Sequence, residues 1–77
     1  MKDKLIERII VDPDILLGKP IIKGTRISVE LILELLASGM SVEEILVDYP
    51  HLKKDDILAA IEYAAKRLKY EEVFVNA

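Results

Sequence analysis

Residues 28–39, SVELILELLASG, decide how the rest of the chain is read. Between Val29 and Ala37 the only charged residues are Glu30 and Glu34, which stand four apart and share one narrow stripe of a 3.6-residue helix. Leu31, Ile32, Leu33, Leu35 and Leu36 cover most of the remaining circumference, so the spacing predicts a helix buried on more than one side. Ser28 supplies an N-cap hydroxyl, and Gly39 is the residue type expected just past a helix C-terminus.

Toward the C-terminus a second helix begins almost at once. Ser41 and Glu44 have the spacing of a capping box, and Pro50 ends the helix near Tyr49. After the turn YPHL, residues 53–70 read KKDDILAAIEYAAKRLKY, with Asp55 and Asp56 in the first turn and Lys66, Arg67 and Lys69 near the end, a distribution that suits the helix dipole. Ile57, Ile61, Ala64 and Leu68 are its expected inward stripe. Three helices with a tight link between the last two form a helix-turn-helix arrangement.

Toward the N-terminus the pattern changes. The β-branched run 9–11 ends in DPD, where Pro13 keeps Asp12 out of helical geometry, so a strand followed by a turn is expected. In GKPIIKGTR, residues 18–26, Pro20 extends Lys19, Ile21 and Ile22 favour a strand, and Gly24 permits a turn ahead of Ile27. The expected fold is therefore mostly α and a single domain: a short β arm over residues 1–27, a three-helix unit over 28–70, and a tail, 71–77, with apolar Val73, Phe74 and Val75.

At 77 residues the chain forms a thin core, burying roughly 60–65% of the surface that its unfolded form exposes. Its 52% hydrophobic content is more than a helical unit of this size needs for its own interior, which points to a homodimer or a fixed partner. The β arm is expected to stabilise that dimer, because such short strands do not hold as an isolated sheet in water. The absence of cysteine excludes a disulfide framework, thiolate metal sites and cysteine catalysis. No signal-peptide pattern and no apolar run of membrane-spanning length occurs, so a soluble, cytoplasmic protein is expected. A net charge of −3 means that any contact with DNA must come from a local patch.

The stretch 18–26 fails as a phosphate loop. A P-loop places its lysine directly after the second glycine, whereas here Thr25 and Arg26 follow Gly24 and Lys23 precedes it. Gly18 and Gly24 read as turn formers, Pro20 as a stiffener, and Thr25 as a side chain that bonds back into the turn. Arg26 is open to two readings: an internal clamp on Asp12, Asp14 or Asp48, which is favoured, or a contact with an external phosphate. His51, the sole histidine, follows Pro50 in a turn and lacks a nucleophile or an orienting carboxylate nearby, so a turn or cap role is expected. The acid pairs Asp12 with Asp14, Glu43 with Glu44, and Asp55 with Asp56 could hold a divalent ion, but each is better explained as turn residues or first-turn helix acids. No metal or cofactor is expected.

Three blocks stand in order: GKPIIKGTRISV at 18–29, GMSVEEIL at 39–46 and YPHL at 49–52, the last followed by an acid-rich helix. Together with Asp12-Pro13 they closely resemble the domain-of-unknown-function family 433, over roughly residues 9–66. The resemblance implies a homeodomain-like helix-turn-helix behind a β segment and an antitoxin role. Such a protein would neutralise a small PIN-like ribonuclease toxin and repress the shared promoter; the residues themselves offer no catalytic set, so no enzymatic activity is expected. The motif residues carried over are Gly18, Lys19, Pro20, Gly24, Thr25, Arg26, Tyr49, Pro50 and His51. This chain departs from the family in having Lys53 and Lys54 where threonine and proline are common, which removes a good N-cap and adds charge. Lys53 and Lys54 at the start of the last helix, with Lys19 and Lys23 on flanking phosphates, are the expected DNA contacts. The alternatives are a protein-interaction module without DNA binding and a hydrolase that uses the paired carboxylates.

Overall fold

The structure is a computed structural model that describes residues 2–69; the expected tail, 71–77, lies outside the described residues. Among the described residues a 3-10 helix (Lys2–Arg8) leads into β1 (Ile9–Val11) and β2 (Pro20–Ile22), followed by α1 (Val29–Ala37), α2 (Val42–Asp48) and α3 (Lys54–Lys69). The fold is mostly α with a short antiparallel arm, as the sequence predicts. The N-terminal 3-10 helix is an addition that no sequence signal announced.

β1 and β2 pair antiparallel, with Ile9 opposite Ile22 and Val11 opposite Pro20. Pro20 is tolerated because it starts an edge strand, where no ladder donor is needed. The connection turns first at Asp12, whose carboxylate accepts the Asp14 N–H at 2.9 Å while its carbonyl accepts the Ile15 N–H. After β2 the chain turns again: the Thr25 N–H and hydroxyl both reach the Ile22 carbonyl, and Gly24 takes φ +81° at the position where a type II turn demands a left-handed residue. The Thr25 hydroxyl also accepts the Ile27 N–H at 3.0 Å, so this side chain closes the turn that delivers Ser28 to α1.

Ser28 caps α1 by accepting the Leu31 N–H at 2.9 Å. At the other end the Met40 N–H bonds the Leu35 carbonyl and the Gly39 N–H that of Leu36, a Schellman closure with Gly39 at φ +103°. The capping box of α2 is complete, since the Ser41 hydroxyl accepts the Glu44 N–H and the Glu44 carboxylate accepts the Ser41 N–H. Tyr49 ends α2, and the Leu52 N–H bonds the Tyr49 carbonyl, which turns the buried Leu52 into the core ahead of α3.

One core joins the two strands and the three α-helices. Ile22 from β2, Val29 and Ile32 from α1, Ile45 from α2, Leu52, and Ile57 and Ala60 from α3 pack together. Each fully buried aliphatic side chain contributes about 1.5–3 kcal/mol. The stripe expected on α3 is corrected here. Its buried residues are Asp56, Ile57, Ala59 and Ala60, whereas Ile61 and Leu68 are exposed. Ile57 points inward as expected, and beside it the small Ala59 and Ala60 let the neighbouring elements come close to the backbone, so the buried line turns toward them and leaves Ile61 and Leu68 outside.

Candidate partner-binding surfaces

Asp56 is the central polar residue of the fold. Its side chain is only 9% exposed, yet it is fully engaged: one carboxylate oxygen accepts from Arg8 at 2.9 Å and the other from the Lys53 N–H at 2.8 Å. The second bond is half of a capping box and replaces the cap that Lys53 cannot supply. Arg8 also lies 3.6 Å from Asp55. The arginine clamp therefore exists, but it belongs to Arg8. Arg26 is exposed and forms no ion pair with Asp12, Asp14 or Asp48 among the described residues.

The four expected DNA lysines are not gathered in one cleft. Lys53 and Lys54 are exposed at the start of α3. Lys23 shares a cleft of about 430 Å³ with Lys4, Glu7, Arg8 and Asp56. Lys19 lines a different cavity and is held by Glu30 at 2.9 Å. The hydrogen bond to Glu30, reinforced by its charge, raises the Lys19 pKa above the ordinary 10.5. Of the motif residues, Gly18, Gly24 and Thr25 build turns and Pro20 opens β2, as above; Tyr49 is half-buried against the core, while Pro50 and His51 sit exposed on the turn that aims Leu52 inward.

Among the described residues, three apolar surface features bear on partner binding. Leu58, Ile61 and Ala65 share one exposed face of α3, in line with Lys54 at its start. A groove of about 620 Å³ runs between α1 and α3, walled by Pro20, Leu33, Ala37, Ala64 and Leu68. The third feature is the tip between β1 and β2, where Leu16, Leu17 and Gly18 all have positive φ (50°, 58° and 81°) and Leu17 is 96% exposed. A left-handed leucine costs roughly 1–2 kcal/mol. Sequence reasoning missed this tip and Arg8. Arg8 leaves no local trace, since its partner lies 48 positions away. The tip had one, the apolar pair directly before Gly18 in a stretch of turn residues.

The profile of DUF433, described as "Protein of unknown function (DUF433)", matches residues 9–64. The chain belongs to the DUF433 family. A DUF433 member protein from Anabaena variabilis ATCC 29413, solved as a crystal structure at 2.00 Å resolution, superimposes with a TM-score of 0.76 and 29% identity. That match covers 80% of this chain and 61% of the other. The uncharacterized protein y4eO of Sinorhizobium fredii (strain NBRC 101917 / NGR234) is 42% identical over 52 residues, which are 68% of this chain. The matched stretch is 24% of y4eO, so this DUF433 unit corresponds to about a quarter of that relative.

Proposed function

We propose that this DUF433 chain is an antitoxin-like, non-catalytic regulator that acts by binding a protein partner, a PIN-like ribonuclease toxin. The observation that carries this reading is the outer face of α3. Past its first turn the helix offers Leu58, Ile61 and Ala65 to solvent. A helix that reads base edges gains most from polar and cationic side chains, whereas an apolar stripe gains from burial in a partner's groove. A net charge of −3 suits a partner with a basic RNA-binding face. One carboxylate of each pair that a hydrolase would use has another duty: Asp12 holds a turn, Glu44 and Asp56 cap helices. Co-expression with the product of the neighbouring reading frame tests the proposal. A stoichiometric complex without ribonuclease activity, disrupted by Ile61→Lys, is expected; failure of the two to associate would reject it.

A second reading, binding of the chain's own promoter, draws support from the cleft that gathers Lys4, Arg8 and Lys23 close to the α3 start. Each phosphate contact contributes about 0.9 to the slope of log affinity against log salt. Titration of promoter DNA at two salt concentrations, with Lys23→Glu and the Lys53→Glu, Lys54→Glu pair, separates the readings. Identical curves for all variants would remove the DNA role.

A further inference from the structure

We propose that two copies of this chain pair reciprocally, each inserting its Leu16–Leu17 tip into the groove between α1 and α3 of the other. This pairing goes beyond the toxin and promoter contacts, which use the outer face of α3 and the Lys23 cleft, and it stands or falls without them.

The tip is built, not slack. The Gly18 N–H bonds the Ile15 carbonyl at 3.0 Å and the Lys19 N–H bonds that of Leu16 at 3.1 Å, which holds Leu16 and Leu17 in left-handed geometry. Asparagine or glycine would meet that geometry with less strain. Leu17 gains nothing inside its own chain, being 96% exposed, so a bulky apolar side chain in a strained position is accounted for by a contact outside the chain.

The groove supplies a matching hole. Its walls are the apolar Leu33, Ala37, Ala64 and Leu68. The polar pair at its rim, Lys19 and Glu30, is satisfied internally at 2.9 Å. A pocket for a polar small molecule needs convergent polar groups aimed inward, whereas these walls suit an inserted aliphatic side chain.

Knob and hole lie side by side on one molecule, because Gly18 links the tip directly to Lys19 and Pro20 of the groove wall. With knob and hole adjacent, the contact can be isologous and close about a two-fold axis, each tip meeting the other's groove. The charge at the rim permits this: Glu34 on α1 and Arg67 on α3 give it both signs, so one copy does not repel the next.

Sedimentation equilibrium of the full chain over roughly a hundredfold concentration range reads the pairing directly. The wild type is expected to dimerise. Leu17→Asp and Ala37→Arg, both at exposed positions, should each weaken self-association about thirtyfold or more, the loss typical of a central anchor. Circular dichroism should show both variants folded. Mixing the two restores one intact tip facing one intact groove, so a mixed dimer should appear that neither variant forms alone. A wild type that stays monomeric, or variants that dimerise like the wild type, would overturn the proposal. So would a groove variant that fails while the tip variant pairs normally, which would assign the groove to another segment such as residues 73–75.

Discussion

Arg8 and Asp56 stand 2.9 Å apart although 48 positions separate them in the chain, and this contact fastens the N-terminal 3-10 helix across the start of α3. Asp56 is nearly buried and holds the Lys53 N–H as well, so one carboxylate both caps a helix and anchors a distant segment. Removing Arg8 leaves that carboxylate short of its strongest donor. Arg8→Ala is expected to cost about 1.5–3 kcal/mol, and Asp56→Ala more, because it also frees the Lys53 N–H. Denaturant unfolding of the two single variants and the double variant measures the coupling. Strict additivity would show that the contact contributes nothing.

Arg26 gives the opposite expectation. It is exposed and makes no ion pair among the described residues, so Arg26→Ala should change stability by no more than about 0.5 kcal/mol. A large drop in melting temperature would restore the internal-clamp reading. Weaker binding to a partner at unchanged stability would assign Arg26 to an external contact.

On α3, two isoleucines one turn apart should behave differently. Ile57 is fully buried in the core, and Ile57→Ala should cost about 2–5 kcal/mol. Ile61 faces outward, and Ile61→Ala should cost about 1 kcal/mol or less. Equal losses in chemical unfolding would mean that the helix is rotated from the orientation described.

The strained tip makes a prediction of unusual sign. Leu17 loses no burial on replacement, and asparagine accepts left-handed geometry better than leucine, so Leu17→Asn should stabilise the folded monomer by about 0.5–1 kcal/mol. Calorimetry at a concentration low enough to suppress association checks it. Lower stability in the variant would mean that leucine is preferred there by the chain itself.

Lys19 carries the pH dependence that can be signed. Its folded pKa lies above the ordinary 10.5 because Glu30 bonds and attracts the ammonium. The stabilisation is therefore complete below about pH 10.5 and is lost as the pH rises through the raised folded value. Both partners are more than half exposed, so Lys19→Met should leave the melting temperature at neutral pH almost unchanged. It should also flatten the fall in stability at strongly alkaline pH; an identical alkaline fall in the variant would assign it to other groups.

Local chemistry was legible from residue types alone. Ser28, the Ser41 and Glu44 box, Gly39 and Gly24 each act on neighbours within a few positions, so their spacing already states the bonds they make, and helix and turn boundaries followed from them. The family blocks were legible for the same reason: they are turns and caps, written in contiguous residues.

What the tertiary structure alone decided are the relations between distant segments. Ile57 faces inward as its periodicity predicts, but the rest of the buried face of α3 is Asp56, Ala59 and Ala60, because close approach of neighbouring elements favours small side chains and because Arg8 makes a buried aspartate affordable; a ranking by hydrophobicity sees neither. The assignment of the arginine clamp to Arg8 and not Arg26 depended on where the 3-10 helix crosses α3. The left-handed Leu16 and Leu17 run against local preference, and only the tertiary structure shows Leu17 exposed with the apolar groove beginning two residues on, at Lys19. Sequence spacing records bonds made within a turn or two of the chain, and these three features are set by contacts and exposure that arise only once the segments pack together.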